Sequence, residues 1–536
     1  MGERNERYDC SVEPEIIITK IYIMEYLIGI DVGTSGVKTL LINRRGNVIS
    51  SATESYPLST PRPLWSEQNP EDWWDATKST IRNVLTKSGI NTRDIKGIGL
   101  TGQMHGLVLL DENNKVLRPC IMWNDQRTQK QCDIITSMIG YERLLSLTGN
   151  PVLPGFTAPK LLWVKKYEPE VYAAVKHILL PKDFIRMKLT GEYATDVSDA
   201  SGMALLNVKE RRWCDELLSE MEIAPEWMPS VVESVDITGT ISKTVADELG
   251  LYTGTPVVGG GGDQAAGAVG NGIVQSGLVS VTIGTSGVVF AHSDQLAVEP
   301  QGLLHAFCHA VPNTWHLMGV TLSAGGSLGW FRDVLCESEK DEAKRTDRNV
   351  YDILLDKARK ASPGSEGLIF LPYLTGERTP HPDPTAKGVF FGLSQRHNKS
   401  YLIRSVLEGV AYSLRDCLEL MKKIDIPIEQ IRLSGGGARG QLWRQIMADV
   451  FNAEVSVLTS TEGAPFGAAL LAGVGVNVYE DVEEACNTTL KIDLKVSPVN
   501  ENVLQYEEYY NVFKKLYPQL KGQFSSTAQI IESKQN

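Results

Sequence analysis

The sequence predicts an α/β protein with two similarly organised halves around a central cleft. Residues 33–37 (Gly-Thr-Ser-Gly-Val) recur letter for letter as residues 284–288 in the second half of the chain. Each copy follows a short run of β-forming residues, at 26–30 and 278–283. A chain of 536 residues is also too long for a single hydrophobic core. A repeated strand-and-turn unit in a chain of this length indicates a duplicated fold.

The repeated turn is suited to binding phosphate. An apolar strand that runs into Gly-Thr-Ser-Gly presents backbone N–H groups and hydroxyls without side-chain bulk. One copy alone would more often be an ordinary hairpin turn. Two copies in matching contexts favour a polyphosphate that is held from both sides.

Local patterns place further elements in the first half. A helix is predicted to begin after Asn69, because Asn is a good cap and Pro70 suits the first helical position. A strand is predicted at 95–101, and residues 102–106 follow directly after it. Ligands bind at the carboxyl ends of the strands in open α/β sheets. The chain is predicted to start with a three-stranded meander, with strands at 26–31, 37–42 and 48–53.

The second half follows the same plan. A strand at Pro256–Val258 runs into four glycines and then a helix of small residues. A later strand at 431–433 enters the glycine-rich run 434–438, and a helix follows from about Gln441. The apolar spacing at 506–516 predicts a helix that docks on the core. The polar last dozen residues are expected to fray.

Composition excludes several classes of partner. A net charge of −12 and a pI of about 5.4 leave no basic excess for general binding to nucleic acid or to an anionic membrane. The eight cysteines are scattered without a CxxC pair, which indicates reduced thiols in a cytoplasmic protein without a zinc site. A phosphorylated ligand would therefore need local devices, such as glycine turns and a metal ion.

Asp31 lies where the first strand enters its glycine turn. A carboxylate there would repel a phosphate unless a divalent cation stood between them, so Asp31 is a candidate Mg²⁺ ligand, direct or through water. The alternative is an ordinary Asx-type turn residue that caps its own loop.

Asp263 follows four glycines and begins the helix of small residues. The glycines allow a ligand to approach closely, and an acid at a helix N-terminus is electrostatically favoured. The functional interpretation is a general base that accepts a proton from a substrate hydroxyl as it attacks phosphorus. An ordinary helix cap is the equally weighted alternative.

Two polar segments and one glycine-rich segment are candidate ligand contacts. His105 lies at a predicted sheet edge, where it could hydrogen-bond a polyol or be a satisfied core histidine. Trp123 stands next to Asn124 and Asp125, which offers the apolar face and polar groups that a sugar pocket needs. The glycines 435–437 could let an adenine lie against bare backbone or could form a simple strand–helix turn.

Other nucleotide and hydrolase motifs are absent. The sequence contains no G-x-x-x-x-G-K-[ST] loop, no kinase His-Arg-Asp arrangement, no G-x-S-x-G elbow and no H-E-x-x-H pair. It also contains no G-x-G-x-x-G that opens a βαβ unit. A nucleotide enzyme with duplicated glycine-hydroxyl turns and none of these motifs points to the actin/hexokinase type of ATPase.

With these residues assembled, the chain resembles the carbohydrate kinases of the FGGY family. The resemblance extends from about residue 26 to 475. It rests on segments at 28–38, 64–68, 102–106, 123–125, 154–163, 180–183, 260–263, 376–380 and 435–439.

The resemblance implies two ribonuclease-H-like domains. A sugar-binding domain would span 24–270 and an ATP-binding domain 271–480, followed by a helical tail at 481–536. Residues 1–23 have no counterpart, so we expect either a mistaken start upstream of Met24 or a genuine β-prone arm.

The resemblance also implies roles for single residues. Asp263 would be the base and Asp31 would orient Mg²⁺. The sugar contacts would be Met104, His105, Gln264 and Trp123. The ATP contacts would be Gly33, Thr34, Gly284, Thr285, Gly325, Gly437 and Gln441.

The implied reaction is transfer of the γ-phosphoryl group of ATP to a sugar hydroxyl. The segments 103–106 and 154–160 favour the family members that act on D-xylulose, in pentose catabolism. The alternatives are a kinase for ribulose, 1-deoxy-xylulose, gluconate or glycerol, and a non-catalytic binder of sugar or ATP. A homodimer is left open.

Overall fold

The computed structural model describes residues 25–459 and 462–534. The predicted N-terminal extension at 1–23 lies outside the described residues, and so does the choice between a mistaken start and a β-prone arm. Along the described ranges, none of the helices combines the length and the apolar character that a membrane span requires.

The first half is built on a seven-stranded mixed sheet. Its first strands form the predicted meander, because Tyr26–Val32 pairs antiparallel with Gly36–Asn43, which in turn pairs antiparallel with Val48–Ser55. On its other side Tyr26–Val32 pairs in parallel with Ile95–Gly102. The remaining strands of this sheet are Ile237–Thr240, Pro256–Val258 and Gly261–Gly262.

The second sheet repeats the order and direction of these strands. Gly277–Ile283 pairs antiparallel with Gly287–Ser293 and in parallel with Ile428–Ser434. The two identical turns therefore join the first two antiparallel strands of their respective sheets. The duplicated α/β fold that the sequence predicts is confirmed. The outer strands of the second sheet are His305–Cys308, Trp315–Thr321, Val455–Leu458 and Ile492–Val496.

Helices cover both sheets. The helix Pro70–Ser88 begins as predicted, since the side chain of Asn69 accepts a hydrogen bond from the backbone of Glu71 at 3.3 Å. The other helices of the first half are Gln129–Ile139, Tyr141–Thr148, Thr157–Tyr167, Pro169–Ala174, Pro181–Thr190, Val197–Ala200, Asp215–Glu220, Lys243–Leu249 and Asp263–Gly270. Those of the second half are Gly325–Leu335, Glu337–Thr346, Val350–Ala358, Lys399–Lys423, Gln441–Phe451, Ala464–Gly475, Val482–Thr489 and Asn500–Ser533.

Short paired strands lie outside the two main sheets. In the first half they are Glu67–Gln68, Val108–Leu110, Cys120–Ile121, His177–Leu179, Ala194–Asp196, Leu206–Asn207, Arg212–Trp213 and Ser230–Val232. In the second half they are Ile369–Leu371 and Val389–Phe391.

The helix Ala464–Gly475 joins the two halves. It packs on the first sheet so closely that a Cβ atom on Gly29 would lie 1.8 Å from the carbonyl oxygen of Pro465. It also crosses Asp263–Gly270, where a Cβ atom on Gly467 would lie 1.8 Å from the carbonyl oxygen of Ala266. Glycine at these positions allows the backbones to meet directly, so the helix that carries the candidate base is held from both halves.

The terminal helix is longer than the sequence pattern predicts. It runs over Asn500–Ser533 and buries Tyr506, Tyr510 and Phe513 against the second-half core, as expected for the apolar spacing. The expectation that the last dozen residues fray is wrong for those that the structure describes, because the helix continues to Ser533. The buried Phe524 extends the docked face one heptad beyond Tyr517.

Candidate active site

The two repeated turns are closed by their own backbone. The N–H of Gly33 donates to the carbonyl of Gly36 at 3.1 Å, and that of Gly284 to Ser286 at 3.0 Å. The second turn also receives the start of the helix Gly325–Leu335, since Gly325 N–H donates to Gly284 at 2.8 Å. A Cβ atom on Gly325 would lie 2.5 Å from that carbonyl oxygen, so only glycine fits. The candidate residues Gly284, Thr285 and Gly325 are thus brought together.

Thr34 connects the first turn to the candidate sugar side. Its hydroxyl accepts from Trp123 Nε1 at 2.9 Å and donates to Gln103 Oε1 at 3.3 Å. Its carbonyl accepts from Gln68 Nε2 at 2.8 Å. The indole of Trp123 is 42% exposed, so one face of it remains available to a ligand.

Asp31 and Asp263 form an acidic pair. Asp31 lies near the end of the strand Tyr26–Val32, and Asp263 begins the helix Asp263–Gly270. Burial raises the pKa of Asp31 to about 7, with a further contribution from the charge on Asp263 and an opposing one from Lys38. Burial also raises the pKa of Asp263 to about 6, against the hydrogen bonds from Gln264. A buried carboxylic acid with a pKa close to neutrality is suited to proton transfer.

The carboxylate of Asp31 is suited to binding a divalent cation. Its Oδ1 atom is buried and has no hydrogen-bond partner among the described residues. A cation next to Asp31 would satisfy this oxygen and relieve the repulsion between the two carboxylates. Carboxylate oxygen is also the ligand that Mg²⁺ prefers.

His105 is held as a neutral hydrogen-bond acceptor. Its Nδ1 atom lies 2.7 Å from the carbonyl oxygen of Gly202. A carbonyl can only accept, so Nδ1 carries the proton and Nε2 keeps its lone pair. Burial, with smaller contributions from the charges on Lys160 and Arg378, lowers the pKa of His105 to about 3. The residue can therefore accept a hydrogen bond from a substrate hydroxyl.

Met104 and Gln264 link His105 to the candidate base. Met104 is buried against the glycines before Asp263, and a Cβ atom on Gly262 would lie 3.0 Å from its Sδ. Gln264 Nε2 donates to Asp263 Oδ1 at 3.3 Å. Two of the residues that the sequence assigns to the sugar, Met104 and Gln264, therefore lie directly beside the candidate base or the glycine before it.

Gly437 and Gln441 follow the strand Ile428–Ser434 in the second half: Gly437 lies in the 3₁₀ helix Gly436–Arg439, and Gln441 begins the helix Gln441–Phe451. A Cβ atom on Gly437 would lie 2.4 Å from Cγ2 of Ile283, so the backbone passes close to the strand that enters the second turn. Gln441 is exposed, and its Oε1 accepts from Arg359 at 3.0 Å.

A cavity of about 710 Å³ opens beside Asp263. It lies between the helix Asp263–Gly270 and the second sheet, and its lining includes Gln264, Thr282, Gly435 and Gly436. The same cavity is therefore lined by the candidate base and by part of the glycine-rich run that the sequence assigns to adenine.

Sequence reasoning missed several groups that support the site. Tyr56 donates its hydroxyl to the carbonyl of Gly33 and so anchors the first turn. Phe156 stacks on the imidazole of His105 with the ring centroids 4.8 Å apart. The signal for Phe156 was present in the distinctive segment 154–160, but only the tertiary structure shows that it faces His105.

The family models match both halves of the chain. The N-terminal domain of the FGGY family of carbohydrate kinases matches residues 26–270, and the C-terminal domain of that family matches residues 279–476. The chain belongs to the FGGY family of carbohydrate kinases. The fold class that the sequence predicts agrees with this family.

The chain is similar over almost its whole length to individual sugar kinases. The chain is 42% identical to the xylulose kinase of Escherichia coli (strain K12) over 494 residues, which cover 92% of this chain and 99% of the relative. It is 33% identical to the gluconokinase of Bacillus subtilis (strain 168), over 94% of this chain and 98% of the relative. The crystal structure of a xyloylose kinase from Brucella ovis superposes with a TM-score of 0.85 at 37% identity, covering 93% of this chain and all of that one.

Proposed function

We propose that the protein transfers the γ-phosphoryl group of ATP to O5 of D-xylulose, yielding D-xylulose 5-phosphate and ADP. The observation that carries this proposal is the placement of Asp263. It is a half-buried carboxylic acid with a raised pKa that lines the second-half cavity, next to Gly262, on which Met104 packs. Similarity to xylulose kinases over nearly the whole chain supports xylulose as the sugar.

Asp263 acts as the general base in this proposal. The substrate O5–H bond breaks as its proton passes to Asp263, an O5–P bond forms, and the bond between the γ-phosphorus and the leaving ADP oxygen breaks. With a pKa of about 6, Asp263 is ionised at neutral pH and remains basic enough to take the proton. Its position at the start of a helix stabilises the carboxylate that the reaction needs.

The two turns bind and orient the nucleotide. Because the N–H groups of Gly33 and Gly284 close their own turns, the donors to phosphate oxygens are the backbone N–H groups of residues 34–35 and 285–286. Hydrogen bonds to the transferring group supply most of the catalysis of phosphoryl transfer. Asp31 is the residue that would hold Mg²⁺, because its Oδ1 is buried and finds no partner in the part of the chain that the structure describes. When bound, Mg²⁺ offsets the negative charge of the phosphates.

The sugar lies against the first half. His105 Nε2 accepts a hydrogen bond from a sugar hydroxyl, since Nδ1 is already committed to Gly202. Met104 and the exposed face of Trp123 supply apolar surface, and Gln264 supplies an amide next to the base. We place the reaction in the cytoplasm, where ATP is available.

A kinase for another polyol is the second candidate, and the similarity to a gluconokinase is the observation that favours it. Purified protein with ATP and Mg²⁺ should be assayed for ADP release with xylulose, ribulose, 1-deoxy-xylulose, gluconate and glycerol. The proposal predicts the highest kcat/KM for xylulose. A higher value for any other polyol would contradict it, and no activity above an Asp263→Asn control would favour a non-catalytic binder.

A further inference from the structure

The segment 154–160 surrounds His105 without being part of the proposed chemistry. It begins the helix Thr157–Tyr167, which packs behind the loop that carries His105. His105 has a φ angle of +70°, a left-handed conformation that a residue with a side chain adopts only at an energetic cost. Surrounding contacts must hold it there.

Two donors from this segment meet on the backbone of His105. Thr157 Oγ1 donates to the His105 carbonyl oxygen at 3.1 Å, and Lys160 Nζ donates to the same oxygen at 2.8 Å. The ring of Phe156 stacks on the imidazole at an interplanar angle of 27°. Backbone and side chain of His105 are therefore both restrained by three residues of one short segment.

Lys160 is in an unusual setting for a lysine. Its side chain is 0% exposed, and within the described ranges its only hydrogen bond goes to the His105 carbonyl. Burial lowers the pKa of Lys160 to about 7, although Cys120 and Asp125 oppose this change. A buried amine without a paired carboxylate is costly, and an apolar side chain of similar length would avoid that cost. Its presence indicates a task that an apolar residue could not perform.

We propose that Phe156, Thr157 and Lys160 are positioning residues that hold His105 in its left-handed conformation and aim Nε2 at the sugar. They act through His105 and do not contact substrate or nucleotide. This inference rests on the proposed role of His105 in binding the sugar. It assigns to the segment 154–160 a part in sugar affinity and none in phosphoryl transfer.

The experiment is a double-mutant cycle on the full chain. Thr157→Val removes one donor and keeps the shape of the side chain, and Thr157→Ser restores the hydroxyl. Lys160→Met removes the amine and keeps an apolar side chain of similar length in the same buried position. Each is made alone and together with His105→Ala, and KM for xylulose, KM for ATP and kcat are measured. Lys165→Met is the matched control, since Lys165 lies on the same helix in a surface ion pair with Glu222.

We expect Thr157→Val and Lys160→Met to raise KM for xylulose about 3- to 10-fold, the loss that one hydrogen bond produces, while KM for ATP changes less than about twofold. Thr157→Ser and Lys165→Met should stay close to the unmodified protein. In the His105→Ala background each substitution should have less than about a twofold effect, because the side chain that it positions is gone.

The outcomes separate this inference from the function on which it rests. An unchanged xylulose KM in His105→Ala would overturn the role of His105 and this inference with it. A raised KM in His105→Ala with no effect of Thr157→Val and Lys160→Met would overturn only the positioning role. Full effects of both substitutions in the His105→Ala background would also overturn it, since they would then act on the sugar by another route.

Discussion

Asp31 and Asp263 come from separate elements of the first half, and the charge on Asp263 helps to raise the pKa of Asp31 to about 7. Two neighbouring carboxylates that are shielded from bulk water repel one another unless a proton or a cation lies nearby. Under the proposed mechanism, Asp31 would hold the cation and Asp263 would accept the proton. Active sites commonly retain such unfavourable pairs at the expense of stability.

Replacing the proposed base should slow turnover strongly and leave nucleotide binding intact. Asp263→Asn keeps the size of the side chain and removes its ability to accept a proton. We expect kcat to fall at least about 100-fold, the lower end for loss of a general base. ATP affinity, measured by isothermal titration calorimetry, should change little. Near-normal turnover in this variant would show that another group takes the proton.

The same substitution should stabilise the fold at alkaline pH. The pKa of Asp263 is about 6 in the folded protein, above the ordinary value of 3.8 that applies in the unfolded chain, so the folded state binds the proton more tightly. Its ionised form therefore lowers the free energy of unfolding by up to about 3 kcal/mol above pH 7, and this loss disappears as the pH falls toward 4.

Urea unfolding of Asp263→Asn and of the unmodified protein at pH 8 and pH 5 measures this effect. We expect the variant to be more stable at pH 8 and the difference to shrink at pH 5. Asp247→Asn, at an exposed position, is the control and should show no such pH dependence. If the two proteins differed in free energy of unfolding by the same amount at both pH values, the ionised carboxylate of Asp263 would not be destabilising the fold.

Removing the imidazole should affect the sugar alone. His105→Ala leaves a substrate hydroxyl without its acceptor in a buried site, at a cost of about 1–3 kcal/mol. KM for xylulose should rise about 5- to 150-fold, with KM for ATP little changed. Initial-rate kinetics with each substrate varied in turn provide the measurement. A matching rise in both KM values would argue against a contact specific to the sugar.

Sugar binding should bring the two halves together. Met104 and His105 belong to the first half, whereas Thr285 and Gly437 belong to the second, and phosphoryl transfer requires that water be kept from the γ-phosphate. Xylulose with a non-hydrolysable ATP analogue should reduce the radius of gyration in small-angle scattering more than the analogue alone. An unchanged radius with both ligands demonstrably bound would indicate a preformed cleft.

The helix crossing should tolerate no side chain at Gly467. Its Cβ atom would lie 1.8 Å from the carbonyl oxygen of Ala266, on the helix that begins with Asp263. Gly467→Ala should therefore destabilise the protein by more than about 1–3 kcal/mol, the usual cost of overpacking. Gly522→Ala is the matched control, because Gly522 is also helical and an added Cβ there would meet no described atom within 4 Å.

Thermal unfolding of both glycine variants tests the crossing. Gly522→Ala should raise the stability by about 0.5–1 kcal/mol, since alanine costs less conformational entropy in a helix. A stable, fully active Gly467→Ala variant would show that the two helices can separate without consequence.

Local patterns predicted the strands, the turns and the position of Asp263, because these features depend on residues that are neighbours in the chain. The repeated turn was sufficient to predict the duplicated sheets, since identical short sequences in identical contexts adopt the same pairing. The start of the first long helix at Asn69 followed from its cap and Pro70 alone. The FGGY resemblance then supplied roles that spacing could not.

Contacts between distant residues were decided only by the tertiary structure. The neutral, Nδ1-protonated state of His105 depends on the carbonyl of Gly202, which is far away in the chain. The raised pKa of Asp31 depends on burial and on Asp263, and neither can be read from the residues beside it. The helix Ala464–Gly475 packs on the sheet of the first half because Gly29 and Gly99 leave room for backbone contact. Sequence patterns describe local conformation, whereas burial and long-range approach determine protonation and packing.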